Sequence, residues 1–207
     1  IDYNGQMKDA SIRLKGDWVD HLINEKWSFK IKLDDSLNNG IKDFQIQNPK
    51  CRWGINEYIF HKLCNKVGLL SPEYTFYQVY LNNSSLGVYA IEEIPSERML
   101  LNQGRKKGII LKLKDDIFFK NEIKPKDKRK EKIIGSAKIK LITKPKDEER
   151  EKRSLKILNQ FKKRDLGIYQ KFNIDQMAKL YAISDLAMAY HCLAWINLRF
   201  FFNYDNN

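Results

Sequence analysis

Three groups of residues in the first half of the chain are of the types that phosphate chemistry uses. Residues 13–17 (Arg-Leu-Lys-Gly-Asp) end a strand-like run at a glycine, residues 26–33 carry alternating lysines, and residues 92–93 are a glutamate pair. A glycine turn lets backbone N–H groups approach phosphate oxygens, a strand lysine neutralises them, and a carboxylate can orient that lysine. Lys30 and Lys32 share one face of the predicted strand, so their spacing does not choose between them. The alternative is a solvated strand face, which alternating lysines usually form.

Most other catalytic signatures are absent from the sequence. It contains no GxSxG nucleophile elbow, no HExxH zinc helix, no GxxxxGK[ST] phosphate loop and no GxGxxG dinucleotide turn. The histidines and cysteines are few and widely spaced: His21, His61, His191, Cys51, Cys64 and Cys192. Their spacing fits neither a metal knuckle nor a disulfide framework, so we expect the cysteines to be small apolar residues.

The net charge of +12 comes almost entirely from one segment. Residues 120–164 contain 18 of the 38 Lys and Arg residues and 7 of the 26 Asp and Glu residues, a local net charge of +11. Clustered lysines favour nucleic acid or another anionic polymer. However, acidic residues are interleaved from residue 147 and aromatic residues are nearly absent from the segment. We therefore expect an exposed lysine-rich segment and no nucleic-acid partner.

Hydrophobic periodicity predicts a sheet-rich first half that is interrupted by one helix. Alternating apolar residues indicate strands at four places: residues 10–15, 27–33, 44–47 and 108–113. Residues 56–67 place apolar side chains on one helical face, with Gly68 in position to cap the helix. Residues 74–81 and 86–91 predict a hairpin around a polar four-residue turn. We expect an α+β protein in which residues 1–113 form a sheet-rich lobe.

The second half of the chain is predicted to be more helical. Residues 114–146 are lysine-rich and interrupted by prolines, which indicates an exposed basic insertion or connector. A helix begins near Asp147, with acidic residues in its first turns and basic residues in its last. A further helix, capped by Asn173 or Asp175, should run to about residue 193. Apolar residues occupy much of its circumference, so we expect it to be buried.

An aromatic strand is predicted at residues 199–204, where the chain nears its end. No partner strand follows, so we expect residues 147–207 to be the start of a helical lobe that is truncated at its C-terminus. The sequence has neither an initiator Met nor a signal-peptide pattern at its start, and no apolar run approaches the roughly 20 residues needed to cross a bilayer.

Several segments occur in an order that resembles the CotH kinase family, the spore-coat protein H-like proteins. The earlier segments are RLKG at 13–16, WSFKIKL at 27–33, FQIQNP at 44–49 with Arg52, and NEYIFHKL at 56–63. The most telling segments are GLLSP at 68–72, VYLN at 79–82 and LGVYAIEE at 86–93. Together they look like that family's hairpin of a strand, a short turn and LGxYxxxE. Residues 108–113 and 185–203 also fit, so the resemblance spans most of the chain outside the basic insertion.

The resemblance implies an atypical protein-kinase-like fold. Such a protein binds ATP with Mg²⁺ or Mn²⁺ and phosphorylates serine or threonine hydroxyls of secreted or coat-associated proteins, so an extracellular or cell-envelope location is also implied. By the same resemblance, Gly16 marks the phosphate-facing turn, Lys30 or Lys32 is the nucleotide lysine, and Glu93 is the carboxylate that partners it.

The sequence departs from the family pattern near the expected catalytic residues. In the family a catalytic Asp precedes an Asn and an aromatic strand, but residues 191–199 contain no Asp. The catalytic candidates are therefore Asp185, about three helical turns earlier, and Asn197, whose carbonyl oxygen could bind metal. The metal-binding Asp of the family would fall beyond Asn207. Asp185 could instead be a buried carboxylate that bonds a backbone group or Arg199, and the alternative function is a non-catalytic kinase-like surface or coat module for assembly or adhesion.

Overall fold

The structure is a computed structural model that describes residues 1–16, 21, 26–114, 134–143 and 147–203. It divides into two compact units, Ile1–Met99 and Leu100–Asn207. Both sheets and helices are present, which confirms the α+β class. In the described part of the chain, no helix combines the length and the apolar character that a bilayer span requires.

The first unit consists mainly of antiparallel strands. Its elements are β1 (Asp2–Tyr3), β2 (Gln6–Met7), β3 (Ala10–Leu14), β4 (Phe29–Leu33), β5 (Asp43–Gln47), α1 (Asn56–Lys66), β6 (Tyr74–Leu81) and β7 (Ser84–Glu93). Strands β1 and β2 pair with each other, and the other strands form one sheet in the order β3-β4-β5-β7-β6. Helix α2 (Glu97–Asn102) crosses the boundary between the two units.

The predicted strands and helix of this unit are confirmed to within two residues at each end, but the hairpin turn is tighter than expected. Leu81 pairs directly with Ser84, which leaves a two-residue turn of Asn82 and Asn83. Both asparagines have positive φ, 49° and 64°. This is the mirror-image turn whose twist matches the strands of a hairpin, and asparagine tolerates it well. The serines after the turn begin β7 instead of belonging to the loop.

One face of the sheet is apolar and forms the core of the first unit. Ile31, Leu33, Phe44 and Ile46 point to this side from β4 and β5, and all are buried. Ile31 of β4 lies directly opposite Phe44 of β5, so the buried side chains of the two strands point to the same side of the sheet. Burying such side chains contributes about 1.5–3 kcal/mol each, so this face fixes the register of the strands.

The other face, here called the polar face, is partly covered by α1. Phe60, His61 and Cys64 are the buried residues of the helix, and the ring of His61 stacks on Tyr74 of β6 at 5.2 Å between centroids. The helix ends at Lys66, and Gly68 follows with a φ of +80°. The prediction that Gly68 terminates this helix is confirmed, since glycine adopts that conformation without steric strain.

The second unit contains another antiparallel sheet. Its elements are β8 (Ile109–Lys114), β9 (Lys138–Leu141), α3 (Glu148–Lys162), α4 (Ile174–Leu186) and β10 (Arg199–Phe202). The strand order is β10-β8-β9, and Leu158 of α3 packs with Leu111 and Leu113 of the sheet. Part of the expected basic connector therefore forms a strand, β9. Residues 115–133 and 144–146 of that connector lie outside the described residues, as do residues 204–207 of the expected aromatic strand.

The prediction of a long, buried last helix is wrong. Helix α4 begins after Asn173, whose side chain accepts a hydrogen bond from Gln176 N, and it ends at Leu186. Met188 then has a positive φ of 50°, which takes the chain out of the helical conformation. Leu186 and Met188 are each 73% exposed. The apolar circumference of the helix indicated burial, but in the described structure only Ile183 and Ser184 of this helix are buried.

Candidate functional site

The strand register decides which of the predicted site residues share a face of the sheet. Lys30 lies opposite Gln45, which in turn lies opposite Glu92. Residues that are directly opposite each other point to the same side, and the next residue along a strand points to the other side. Glu92 therefore shares the polar face with Lys30 and Lys32, whereas Glu93 lies on the apolar face. The structure does not bring Glu93 together with either lysine.

Glu93 is instead paired with Arg98 of helix α2. Arg98 Nη1 donates to Glu93 Oε1 at 2.6 Å, and the carboxylate is 4% exposed. The same guanidinium donates through Nε to the backbone carbonyl of Asn39 at 2.6 Å and contacts Glu73 at 3.4 Å. Glu73 N also donates to the second oxygen of Glu93 at 3.3 Å. This buried pair ties the end of β7 to the 39–40 turn and to the start of β6.

Glu92, the glutamate on the polar face, is paired with Lys15, the first residue after β3. Its Nζ donates to Glu92 Oε2 at 3.1 Å and to Gln47 Oε1 at 2.6 Å. The Lys15 side chain is 12% exposed and that of Glu92 18% exposed, so water has little access to either charge. A lysine ammonium group has three N–H donors, and these two contacts use two of them.

The network continues from Gln47 to the first turn of helix α1. Gln47 Nε2 donates to Glu57 Oε2 at 2.8 Å and to the Tyr74 hydroxyl at 3.1 Å, and that hydroxyl donates to Glu57 Oε2 at 3.1 Å. Each group therefore has a partner that suits its donor or acceptor character. We call this set of five side chains the lysine network: Lys15, Gln47, Glu57, Tyr74 and Glu92.

Arg52 and His21 lie beside the lysine network. Arg52 Nε is 3.8 Å from Glu57 Oε1, and its Nη2 is 3.4 Å from His21 Nε2. Because arginine can only donate, His21 Nε2 accepts, and Nδ1 then donates to Ser28 Oγ at 3.1 Å. Gly16 has a φ of +101°, and a Cβ there would lie 2.2 Å from His21 Cδ2. His21 thus packs against the glycine that follows Lys15.

The two carboxylates of the lysine network have opposite pKa shifts. Burial raises the pKa of Glu57, and the nearby charge of Glu92 raises it further, against the opposing effects of Arg52 and Lys15. Burial also acts to raise the pKa of Glu92, but Lys15, followed by His61 and Arg52, outweighs it and brings the pKa below its ordinary value. Glu92 is therefore the stable anion beside Lys15, and Glu57 is the carboxylate that takes up a proton more readily.

The second-half candidates occupy exposed positions in the second unit. Asp185 accepts a hydrogen bond from the Tyr190 hydroxyl at 3.0 Å and is exposed, so the interpretation of Asp185 as a buried carboxylate is wrong. That hydrogen bond raises the pKa of Tyr190. Asn197 is also exposed, and its Nδ2 donates to the His191 carbonyl at 2.8 Å.

A metal centre needs more ligands than these positions offer. Among the residues that the structure describes, no group of three or more His, Cys, Asp or Glu side chains could hold a metal ion. Mg²⁺ and similar hard cations take about six oxygen ligands, of which the Asn197 carbonyl would supply one. The described residues therefore do not form a metal site by themselves.

Protein kinases use a lysine and a helix glutamate beside the nucleotide phosphates, and the lysine network contains both residue types. The comparison with protein families agrees with this class. The model of the CotH kinase protein family matches residues 12–190 of the 207-residue chain. The chain belongs to the CotH kinase family, and the resemblance is confirmed. A search of curated proteins found no match. The matched region includes the lysine network and Asp185, whereas Asn197 lies beyond it.

The lysine network was not predicted from the sequence, although signals for it were present. Lys15 stands in the RLKG segment, two residues after Arg13, so strand alternation places both on the polar face. Gln47 is the last residue of β5, a strand in which polar and apolar residues alternate. Glu57 lies in the first turn of a predicted helix. None of these signals shows that the three side chains meet, because that depends on pairing between distant strands.

Proposed function

We propose that the chain is a kinase-like domain that transfers the γ-phosphate of ATP to a serine or threonine hydroxyl of a protein, with Mg²⁺ or Mn²⁺. The observation that carries the proposal is the Lys15 ammonium group, held between Glu92 and Gln47 in a member of the CotH kinase family. Phosphoryl transfer depends mostly on positioning and on neutralising charge, and a fixed ammonium group contributes to both.

Lys15 takes the role that the resemblance gave to Lys30 or Lys32. Two of its N–H donors contact Gln47 and Glu92, and the third would bond a phosphate oxygen of the nucleotide. Lys32 is exposed on the strand surface, where a lysine is more strongly hydrated. Glu92, and not Glu93, is then the carboxylate that orients the lysine.

Asp185 and Asn197 remain the proposed residues on the acceptor side. Asp185 would accept the proton of the attacking hydroxyl, since its carboxylate is exposed and Tyr190 bonds Oδ1, one of its two oxygens. The divalent ion would neutralise charge on the phosphates, and Asn197 is a proposed ligand for it. No step is assigned to that ion because the described residues do not complete its site.

The test is the shift in melting temperature of the full chain with Mg-ATP or Mn-ATP, compared with nucleotide or metal alone. A ligand present at 100 times its Kd stabilises the folded state by about 2.7 kcal/mol. For a protein of this size that corresponds to roughly 5–10 °C. Absence of a shift at millimolar nucleotide would refute nucleotide binding by this chain and would favour the non-catalytic surface or coat module.

Two variants then identify the lysine. We expect Lys15→Met to abolish the shift, measured against the variant's own melting temperature without ligand. The double variant Lys30→Met/Lys32→Met, which changes two lysines on the same face, should keep it. The opposite pattern would restore the assignment that the resemblance gave, with Lys30 or Lys32 at the phosphates.

A further inference from the structure

Among the described residues, Lys15 is connected to the glutamate of helix α1 through the side-chain amide of Gln47. Its Nζ lies 2.6 Å from Gln47 Oε1, and Gln47 Nε2 lies 2.8 Å from Glu57 Oε2. In protein kinases the nucleotide lysine pairs directly with a helix glutamate. Here the direct carboxylate partner of Lys15 comes from a strand, as Glu92 of β7, and the helix glutamate is one amide group further away.

The chemistry of an amide suits this intermediate position. Gln47 is fully buried, so its oxygen and nitrogen must find partners inside the protein. An ammonium group only donates and an ionised carboxylate only accepts, which fixes Oε1 toward Lys15 and Nε2 toward Glu57. A carboxylate at position 47 would repel Glu57, and an apolar side chain would leave both charges without this partner.

We propose that Gln47 is a positioning residue that fixes the Lys15 ammonium group relative to helix α1, so that the place of the helix sets where the lysine meets a nucleotide phosphate. The contact with nucleotide rests on the proposed function; the coupling between helix and lysine does not. Tyr74 holds the helix end of the connection by donating its hydroxyl to Glu57 at 3.1 Å. If α1 moved away by about 1 Å, the bond between Gln47 and Glu57 would lengthen beyond hydrogen-bonding distance, and the amide would be released from the helix.

The first experiment measures Mg-ATP affinity by calorimetry in the full chain and in variants that circular dichroism shows to be folded. We expect Gln47→Glu to weaken binding at least tenfold at pH 8. The loss should shrink as the pH is lowered to 6, because proton uptake by either of the two facing carboxylates removes their repulsion. The double variant Gln47→Glu/Glu57→Gln exchanges the amide and the carboxylate, and should recover affinity to within about threefold. The matched control is Gln78→Glu, the same chemical change at an exposed glutamine of β6 whose amide bonds Ser85, and it should change the affinity less than threefold at both pH values.

A purely structural role for Gln47 would lower stability without this pH dependence and without recovery in the double variant, and that result would overturn the proposal. If the unmodified chain binds no Mg-ATP, the proposed function fails, and a second readout still decides the coupling. The mobility of the Lys15 ammonium group is measured by ¹⁵N NMR relaxation without nucleotide. Glu57→Gln/Tyr74→Phe alters only groups that do not touch Lys15, and we expect it to make that ammonium group more mobile. An unchanged relaxation rate would show that the helix does not hold the lysine.

Discussion

Arg98→Met tests whether the Glu93 carboxylate has a structural role. Arg98 is the charged partner of Glu93, whose carboxylate is 4% exposed, and the methionine side chain keeps most of the arginine's apolar stem while removing its charge and donors. Breaking a buried ion pair by removing one partner costs about 3–5 kcal/mol, because the remaining charge stays buried without compensation. We therefore expect the free energy of unfolding of the first unit to fall by about that amount.

A control for this prediction is available at the same guanidinium group. Glu73 contacts Arg98 at 3.4 Å, but its side chain is 48% exposed, so its pair with Arg98 should behave as a surface ion pair. Glu73→Gln should cost less than about 1 kcal/mol. Arg98→Met leaves the buried Glu93 carboxylate without its charged partner. Glu73→Gln removes only the exposed partner and leaves Arg98 paired with Glu93.

The assay is urea unfolding followed by tryptophan fluorescence in a Trp195→Phe background. The remaining tryptophans, Trp18, Trp27 and Trp53, all fall in the sequence range of the first unit, residues 1–99, so the signal follows that part of the chain. A loss in Arg98→Met no larger than in Glu73→Gln would refute the reasoning. A loss of the Mg-ATP shift in a folded Arg98→Met variant would instead support the role beside the nucleotide lysine that the resemblance implies for Glu93.

Two further predictions concern the surroundings of Lys15. Gly16→Ala should lower the free energy of unfolding by about 2–4 kcal/mol, because it combines a left-handed backbone with overpacking against His21. The control is Gly5→Ala, where φ is +78° and no atom lies within 4 Å of the added Cβ, so the loss should be only the backbone part, about 1–2 kcal/mol. Equal losses of unfolding free energy for Gly16→Ala and Gly5→Ala in urea would contradict the close packing of His21. Glu57→Gln should change the pH dependence of stability. Since the folded-state pKa of Glu57 is raised, the folded protein binds the proton more tightly than the unfolded chain, and this contribution to stability is lost as pH rises from about 4.3 through the folded pKa. The stability of the variant relative to the parent chain should therefore increase with pH over that window, and a difference that stays constant from pH 4.5 to 7.5 would refute the raised pKa.

Helix α1 and strands β3 to β7 of the first unit could be predicted because periodicities within about ten residues indicate them. The short elements β1, β2 and α2 were not predicted, and the hairpin turn was predicted with four residues where the structure has two. The exposure of most of α4 could not be predicted in the same way. Apolar residues around a helix indicate that it has something to pack against, but the sequence does not show whether a neighbour covers it.

The choice between Glu92 and Glu93 shows why the site was harder to predict than the fold. The two glutamates are adjacent, so one lies on each face of the sheet, and a shift of one residue in the pairing of β5 with β7 would exchange them. That pairing joins residues about 45 positions apart, and no local pattern determines it. The apolar side chains of the two strands determine this pairing. Ile46 lies opposite Ile91 on the apolar face, so the next residue, Glu92, points to the polar face.

The two glutamates at the end of β7, one buried and one partly buried, therefore differ in what surrounds them and not in their own chemistry. Glu93 has an arginine partner that also binds backbone and a second glutamate, which is the arrangement of a residue that fixes a chain reversal. Glu92 is paired with Lys15, whose ammonium group has Gln47 and Glu92 as its two hydrogen-bond partners in the described structure. The second carboxylate nearby, Glu57, has a raised pKa. A mostly buried ammonium group adds little to stability, because the cost of removing it from water is only partly recovered. It would provide a preformed contact for a phosphate oxygen, and for that reason the proposed nucleotide contact is Lys15 with Glu92, while Glu93 keeps a structural role with Arg98.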